Sequence, residues 1–284
     1  MAAALISLGT AGSSSGRPDT VREVRPGELR DALRHASDGD TLVLAPGRYR
    51  GSFTISKRLR VIGAPGKERP VIDGRCRTNL TIAVRHAGVL LRHLEVIGAD
   101  EGFGDFPSEV DFRGVASGRA AELLVRDTCD AEYGINVFHS REVQLISNRG
   151  RGFSDSAIYV GEISSTGAGK LRVVANHVYA NNRGIIIENS AGGRIRLIGN
   201  SAHDNTSPGE GTAAGIFLRN SVGVVLRGNT ALDNGRYGVH LDPDSDRNRL
   251  FDNVARGNRS GNFRDEGTGN CGSGNRPKVF PPCR

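Results

Sequence analysis

Between Gly134 and Asn258 the apolar positions spell one short phrase five times. It reads Gly134-Ile135-Asn136-Val137, Ala157-Ile158-Tyr159-Val160, Gly184-Ile185-Ile186-Ile187, Gly215-Ile216-Phe217-Leu218 and Gly238-Val239-His240-Leu241. A small residue followed by alternating apolar residues is the period-two signature of a β-strand. A second strand follows each time, with an asparagine three residues after its last apolar position: Leu145 with Asn148, Val173 with Asn176, Leu197 with Asn200, Leu226 with Asn229, Leu250 with Asn253. In the last four repeats another asparagine comes five residues later, at Asn181, Asn205, Asn234 and Asn258. Successive starts differ by 23, 27, 31 and 23 residues, a coil length with tolerated insertions. Three short strands per coil, no helix between them and turns marked by Asn and Gly predict an all-β solenoid, a single-stranded parallel β-helix. Stacked coils place equivalent residues in columns about 4.8 Å apart. The Ile, Val and Leu columns then form a core, and inward asparagines bond the turns of neighbouring coils.

The rest of the chain is read around these coils as a single domain over 21–284. Residues 1–20 open on an apolar run from Met1 to Gly9 without a basic start, and read as a leader or a signal-peptide remnant. From Gly27 to Ala36, Leu29, Ala32, Leu33 and Ala36 fall at helical spacing and predict a short helix within an N-terminal cap over 21–50. Coils are less regular through Val96, and Asp100 to Asp111 reads as a projecting loop. Its Glu101, Asp105 and Glu109 make calcium the one candidate cofactor. The most regular coils run over 134–258, and residues 262–284 form a C-terminal cap. No stretch is long and apolar enough to span a membrane.

The order of cap helix, Asp38-Gly39-Asp40-Thr41, strand, Pro46-Gly47-Arg48-Tyr49 and later Ile72-Asp73-Gly74 resembles the start of pectin-lyase-like right-handed β-helix proteins. Repeats such as Ser154-Asp155-Ser156-Ala157-Ile158-Tyr159-Val160-Gly161 and Ile187-Glu188-Asn189-Ser190 resemble the bacterial parallel β-helix repeat family. The resemblance covers nearly the whole chain and implies the fold more strongly than any activity. A shorter likeness, Tyr237-Gly238 followed by Asp242-Pro243-Asp244, resembles a signature of mannuronan C5-epimerases. Two extra residues intervene, however, and Asp244 and Ser245 replace its last histidine and aspartate, so that activity is not carried over.

Charge adds a partner. The chain carries a net +7, and apart from Lys57, Lys67, Lys170 and Lys278 the positive charge is arginine. That balance suits an acidic polysaccharide. Nucleic acid is not expected, because no basic run is interleaved with aromatics. Cys271 and Cys283 flank a Gly/Pro-rich tail that a disulfide would staple, while Cys76 and Cys129 either pair or stand as small buried residues. Together these features predict a secreted or cell-surface monomer.

Alternation also selects candidate chemistry. If Ile185 and Ile187 point inward, one outward column runs through Asn136, Tyr159, Ile186, Phe217 and His240. A second runs through Phe138, Gly161, Glu188, Arg219 and Asp242. In an enzyme acting on a uronan, Arg219 would neutralise the carboxylate and His240 or Tyr159 would move the C5 proton. Asp242 would orient the histidine or hold calcium, and the reaction would be that of a lyase or C5-epimerase. Glu188 and Asp242, two strand spacings apart, also invite comparison with an inverting hydrolase pair. The competing expectation is a non-catalytic polysaccharide-binding or structural protein, with Glu188, Arg219 and Asp242 as a surface charge ladder.

Overall fold

The computed structural model describes residues 19–163, 170–191, 195–206 and 213–283. The expected leader, up to residue 18, lies outside the described residues. The chain winds through three parallel sheets that form the faces of a prism. The first has 11 strands, from Val21–Val24 and Thr41–Leu44 to Cys271–Ser273. The second has nine, from Phe53–Ile55 to Gly261–Asp265, and contains the repeated phrase. The third has nine, from Arg48–Arg50 to Val254–Arg256. The architecture is the expected parallel β-helix, built from short strands whose buried positions alternate with open ones. No helix among the described residues is long and apolar enough to cross a membrane.

Ile135, Ile158, Ile185, Ile216 and Val239 stand in register in the second sheet, each at most 1% exposed. No single coil could keep such a column dry, so burial is shared between neighbours. Asparagines line two inner corners. Asn200 accepts from the backbone and side-chain amides of Asn176 at 3.0 and 2.9 Å, and donates to Val173 O and Asn229 Oδ1. The same pattern joins Asn148 to Asn275 through every coil between them. A parallel ladder links Asn181, Asn205, Asn234 and Asn258. These amides occupy backbone groups that a tight bend would leave bare.

The small residue that opens each phrase has a packing cause. A Cβ on Gly215 would meet Asn234 Nδ2 at 2.7 Å, and one on Gly238 would meet Asn258 Nδ2 at 2.6 Å. Glycine lets the amide ladder and the strand share one corner.

The helix spans Leu29–His35, inside the expected range, and seats Leu29 and Ala32 on the first coil. The projecting loop is shorter than expected. Ser108–Arg113 is a strand of the second sheet, so only Asp100 to Pro107 projects. Cys76 and Cys129 pair at the base of this loop, and Cys271 pairs with Cys283 in the tail. The tail covers the open end: Phe280 meets Phe263 edge-on at 5.7 Å, and Gly272 N–H donates to Pro281 O.

Candidate functional site

On the outer side of the second sheet, Tyr159, Ile186, Phe217 and His240 form one column and Gly161, Glu188 and Arg219 the next. Gly161 has no side chain to obstruct the Tyr159 ring, which lies across it. The Glu188 carboxylate lies close enough to the tyrosine hydroxyl to act on it electrostatically, and Glu188 pairs with Arg219 at 2.9 Å. Burial, reinforced by the Glu188 carboxylate, holds the Tyr159 phenol above its ordinary value. At neutral pH it can give a proton but not take one.

His240 stacks on Phe217 with ring centroids 4.8 Å apart, and the tilted Tyr237 ring stands 4.9 Å from it. Its Nε2 meets Glu266 at 2.8 Å, and its buried Nδ1 has no partner. Burial pushes its pKa down, against the pull of Glu266. Glu266 accepts from Arg264 and from His240, which press its pKa to about 2. Asp242 was expected beside the histidine, but that place belongs to Glu266. The Asp242 carboxylate instead accepts from Asn220 N–H at 3.0 and 3.1 Å and from Ser245 Oγ at 2.7 Å, which fixes the turn after the strand. The charge ladder on this face is therefore the Glu188–Arg219 pair. Glu266 was missed because it follows the last clear repeat, where the alternation fades.

Tyr133, Tyr159, Ile186, Ala214 and Phe217 form an apolar cluster outside the core, none more than 7% exposed. The face is a dry aromatic patch flanked by the ion pair. In the loop, Glu101 and Asp105 lie near Glu132, but Glu109 does not join them. It sits inside the solenoid, accepting from Thr81 Oγ1 at 2.8 Å and Ala99 N–H at 3.2 Å. Among the described residues no three His, Cys, Asp or Glu converge as a metal site.

Two further groupings emerge from the register. On the first sheet, Arg60, Arg119, Arg172, Arg196 and Arg249 occupy one outward column, separated only by Leu90, Gln144 and Val225. All five are exposed, and among the described residues none has a carboxylate partner. Beside them runs a half-buried aliphatic row, Ile146, Val174 and Ile198. The available signal was an arginine directly before the inward residue, as in Arg172-Val173, Arg196-Leu197 and Arg249-Leu250. On the third sheet, His177 and His203 bring their Nε2 atoms to 2.6 Å.

The solenoid is similar to several solved structures, and the likeness establishes the fold. The pectate lyase Pel9A is 13% identical, with a TM-score of 0.63 over 95% of this chain and 83% of that one. The Geobacillus virus E2 ORF18 protein is 14% identical, with a TM-score of 0.59 over 87% and 58%. The periplasmic alginate epimerase AlgG is 14% identical, with a TM-score of 0.54 over 86% and 72%. A sequence comparison with curated proteins finds no match. Residues 115–276, more than half of the chain, match the family described as periplasmic copper-binding protein (NosD), and the chain belongs to that family.

Proposed function

We propose that the protein is a non-catalytic, extracytoplasmic binding protein that lays an acidic polysaccharide along the arginine column of the first sheet. The two disulfides and the periplasmic family support the extracytoplasmic setting. The observation that carries the reading is the missing counter-charge. Several arginines elsewhere in this solenoid pair across coils, as in Arg48–Asp73, Arg126–Glu95 and Arg219–Glu188. In the column Arg172 and Arg196 are direct neighbours, an arrangement that destabilises a sheet unless an anion lies across it. From Arg60 to Arg249 is seven coil steps, roughly 34 Å at the usual strand spacing. A linear chain with a carboxylate on each sugar matches such a row, and the aliphatic row beside it suits the C–H faces of the sugars.

A second reading is lyase or C5-epimerase chemistry on the outer face of the second sheet. It is favoured by the exposed Arg219 and the Tyr159–Glu188–Arg219 chain of contacts. Against it, Tyr159 and His240 stand three coil steps apart, roughly 14 Å, too far to face one sugar carbon. Glu188 already neutralises Arg219.

One experiment separates the two. Polygalacturonate and alginate are titrated into the full chain at several salt concentrations, while the ultraviolet absorbance of an unsaturated uronate and C5 deuterium exchange are followed. Binding is expected to weaken steeply with salt and to fall at least tenfold in Arg172→Glu/Arg196→Glu, with no product. Unchanged binding in that variant overturns the proposal. Product formation that disappears in Arg219→Ala or Tyr159→Phe establishes the second reading.

The family description also names copper, and the donor set can be tested for it. All four cysteines are in disulfides, so no thiolate is free. The imidazoles of His177 and His203 are the donors that meet, and imidazole nitrogens suit copper. These two residues would hold it, and bound copper would supply a Lewis-acidic and redox-active centre there.

A further inference from the structure

The corner that leads into the second sheet gathers acidic side chains and acceptors without matching donors. Tyr133, Ser156 and Arg183 stand in register on successive coils, so the residues before them, Glu132, Asp155 and Asn182, share one column. Asp155 N–H donates to Glu132 O at 3.2 Å, and Arg183 N–H to Asp155 O at 2.8 Å. Arg183 answers Asp155 through Oδ2, at 2.9 Å. Asp155 Oδ1, Asn182 Oδ1 and the Oγ of the fully buried Ser156 are enclosed and have no hydrogen-bond partner. Ser156 N–H donates to Glu132 O at 3.0 Å, and its side chain faces outward beside Asp155, in the column of Tyr133 and Arg183. On the other side of Glu132, the loop up to Pro107 borders a cavity of about 570 Å³, with Glu101, Asp105 and Phe106 on its walls. Glu101 N–H donates to Asp130 O, Asn79 Nδ2 donates to Asp105 O, and Cys76–Cys129 pins the base, so this wall is preformed. Among the described residues no cation pairs with Glu101, Asp105 or Glu132. Burial and the Asp155 carboxylate raise the pKa of Glu132, and Glu101 and Asp105 push it the same way. Carboxylates crowd one another here in a chain of net charge +7.

We propose that this corner binds a small organic cation with primary ammonium groups, a diamine or polyamine. An ammonium carries three donors and no acceptor, the complement of the orphan oxygens of Asp155, Ser156 and Asn182. A second ammonium lies in the cavity between Glu132 and the loop carboxylates. Phe103 and Phe106, 55% and 40% exposed, supply apolar surface for the methylenes that join the two. A calcium ion would need many oxygens gathered on one point. Among the described residues no three acidic side chains converge in that way, which favours the longer, jointed cation. The site goes beyond the polysaccharide reading and does not depend on it, since that reading rests on the first sheet.

The test is calorimetric titration of putrescine dihydrochloride into the full chain at low ionic strength, repeated in the presence of tetramethylammonium or calcium chloride. One equivalent of putrescine is expected to bind. Tetramethylammonium, which has no N–H to give, and calcium should not displace it. Glu132→Gln and Asp155→Asn should each weaken binding at least tenfold. Glu101→Gln/Asp105→Asn changes two exposed loop side chains, so it keeps the test readable should a corner variant fail to fold, and it should weaken binding several-fold. Glu68→Gln, an exposed acid elsewhere, should leave binding unchanged. Far-ultraviolet circular dichroism confirms which variants are folded. Absence of putrescine binding, displacement by tetramethylammonium or calcium, or unchanged affinity in the loop variant or in a folded corner variant overturns the site. The polysaccharide reading stands or falls separately: Glu132→Gln should keep uronan binding, and Arg172→Glu/Arg196→Glu should keep putrescine.

Discussion

Glu109 takes the inner corner position that Gly134, Ala157, Gly184, Gly215 and Gly238 take in later coils, and its side chain is fully buried. Its carboxyl accepts from the backbone N–H of Ala99, as the amide oxygens of the ladder asparagines accept from backbone further along. Burial raises its pKa to about 8, only partly opposed by the hydrogen bonds from Thr81 and Ala99. The unfolded chain releases this proton near the ordinary glutamate value and the folded chain keeps it to about 8. Between those values the folded state binds more protons, so stability falls as pH rises and levels off above the folded pKa. The slope from one such group approaches about 1.4 kcal/mol per pH unit. Glu132 and Asp265, also raised by burial, act in the same direction. Comparison with Glu109→Gln therefore isolates the residue. Urea denaturation from pH 4 to 9 should show the variant gaining on the parent as pH rises through this window. Parallel curves would show that the carboxyl is not buried in its acid form.

At the scale of the element, the unit is the column more than the strand. A three-residue strand such as Arg196–Ile198 has little stability of its own and is held by the strands before and after it. The amide ladders are the most demanding columns, because each asparagine has two neighbours to satisfy and no spare volume. Gly215→Ala should therefore be costly, with Asn234 Nδ2 and Gly238 O both inside contact distance of the new methyl. Overpacking of this kind costs about 1–3 kcal/mol. Gly66→Ala is the control, since nothing lies within 4 Å of a Cβ there and only its φ of 67° is unfavourable. Guanidinium denaturation should place Gly215→Ala below Gly66→Ala. The reverse order would mean that the corner yields without loss.

At the scale of the whole molecule, a solenoid is weakest at its ends, where a coil has one neighbour in place of two. Here the C-terminal end is closed by the tail. Ala255 N–H donates to Arg276 O, Phe280 is buried against the last coil, and the Cys271–Cys283 bond spans 12 residues. Replacing both cysteines by alanine should cost about 2–3 kcal/mol in the loop-entropy account. Hydrogen exchange should localise the loss, with faster exchange in Gly261–Asp265 and Cys271–Ser273 and unchanged protection around Ile185 and Ile187. Uniform loss along the molecule would show that the coils open as one unit.

The sequence by itself determined the β-helix, its inward columns and its asparagine ladders, because a period of two and a turn residue repeated at coil length admit one way of burying Ile185, Ile216 and Val239 together. It also separated outward residues from inward ones, which brought Tyr159, Glu188, Arg219 and His240 onto one face. Only the tertiary structure decided which outward groups touch. Alternation gives a side and not a distance, and insertions of varying length hide which residue lies above which. Asp242 sits next to His240 in the chain, yet its carboxylate turns to Asn220 while Glu266 arrives from the following coil. Arg172 and Arg196, and likewise His177 and His203, are more than 20 residues apart and become neighbours through register alone. Coil stacking makes those pairs, and its register is set by the summed burial of every coil.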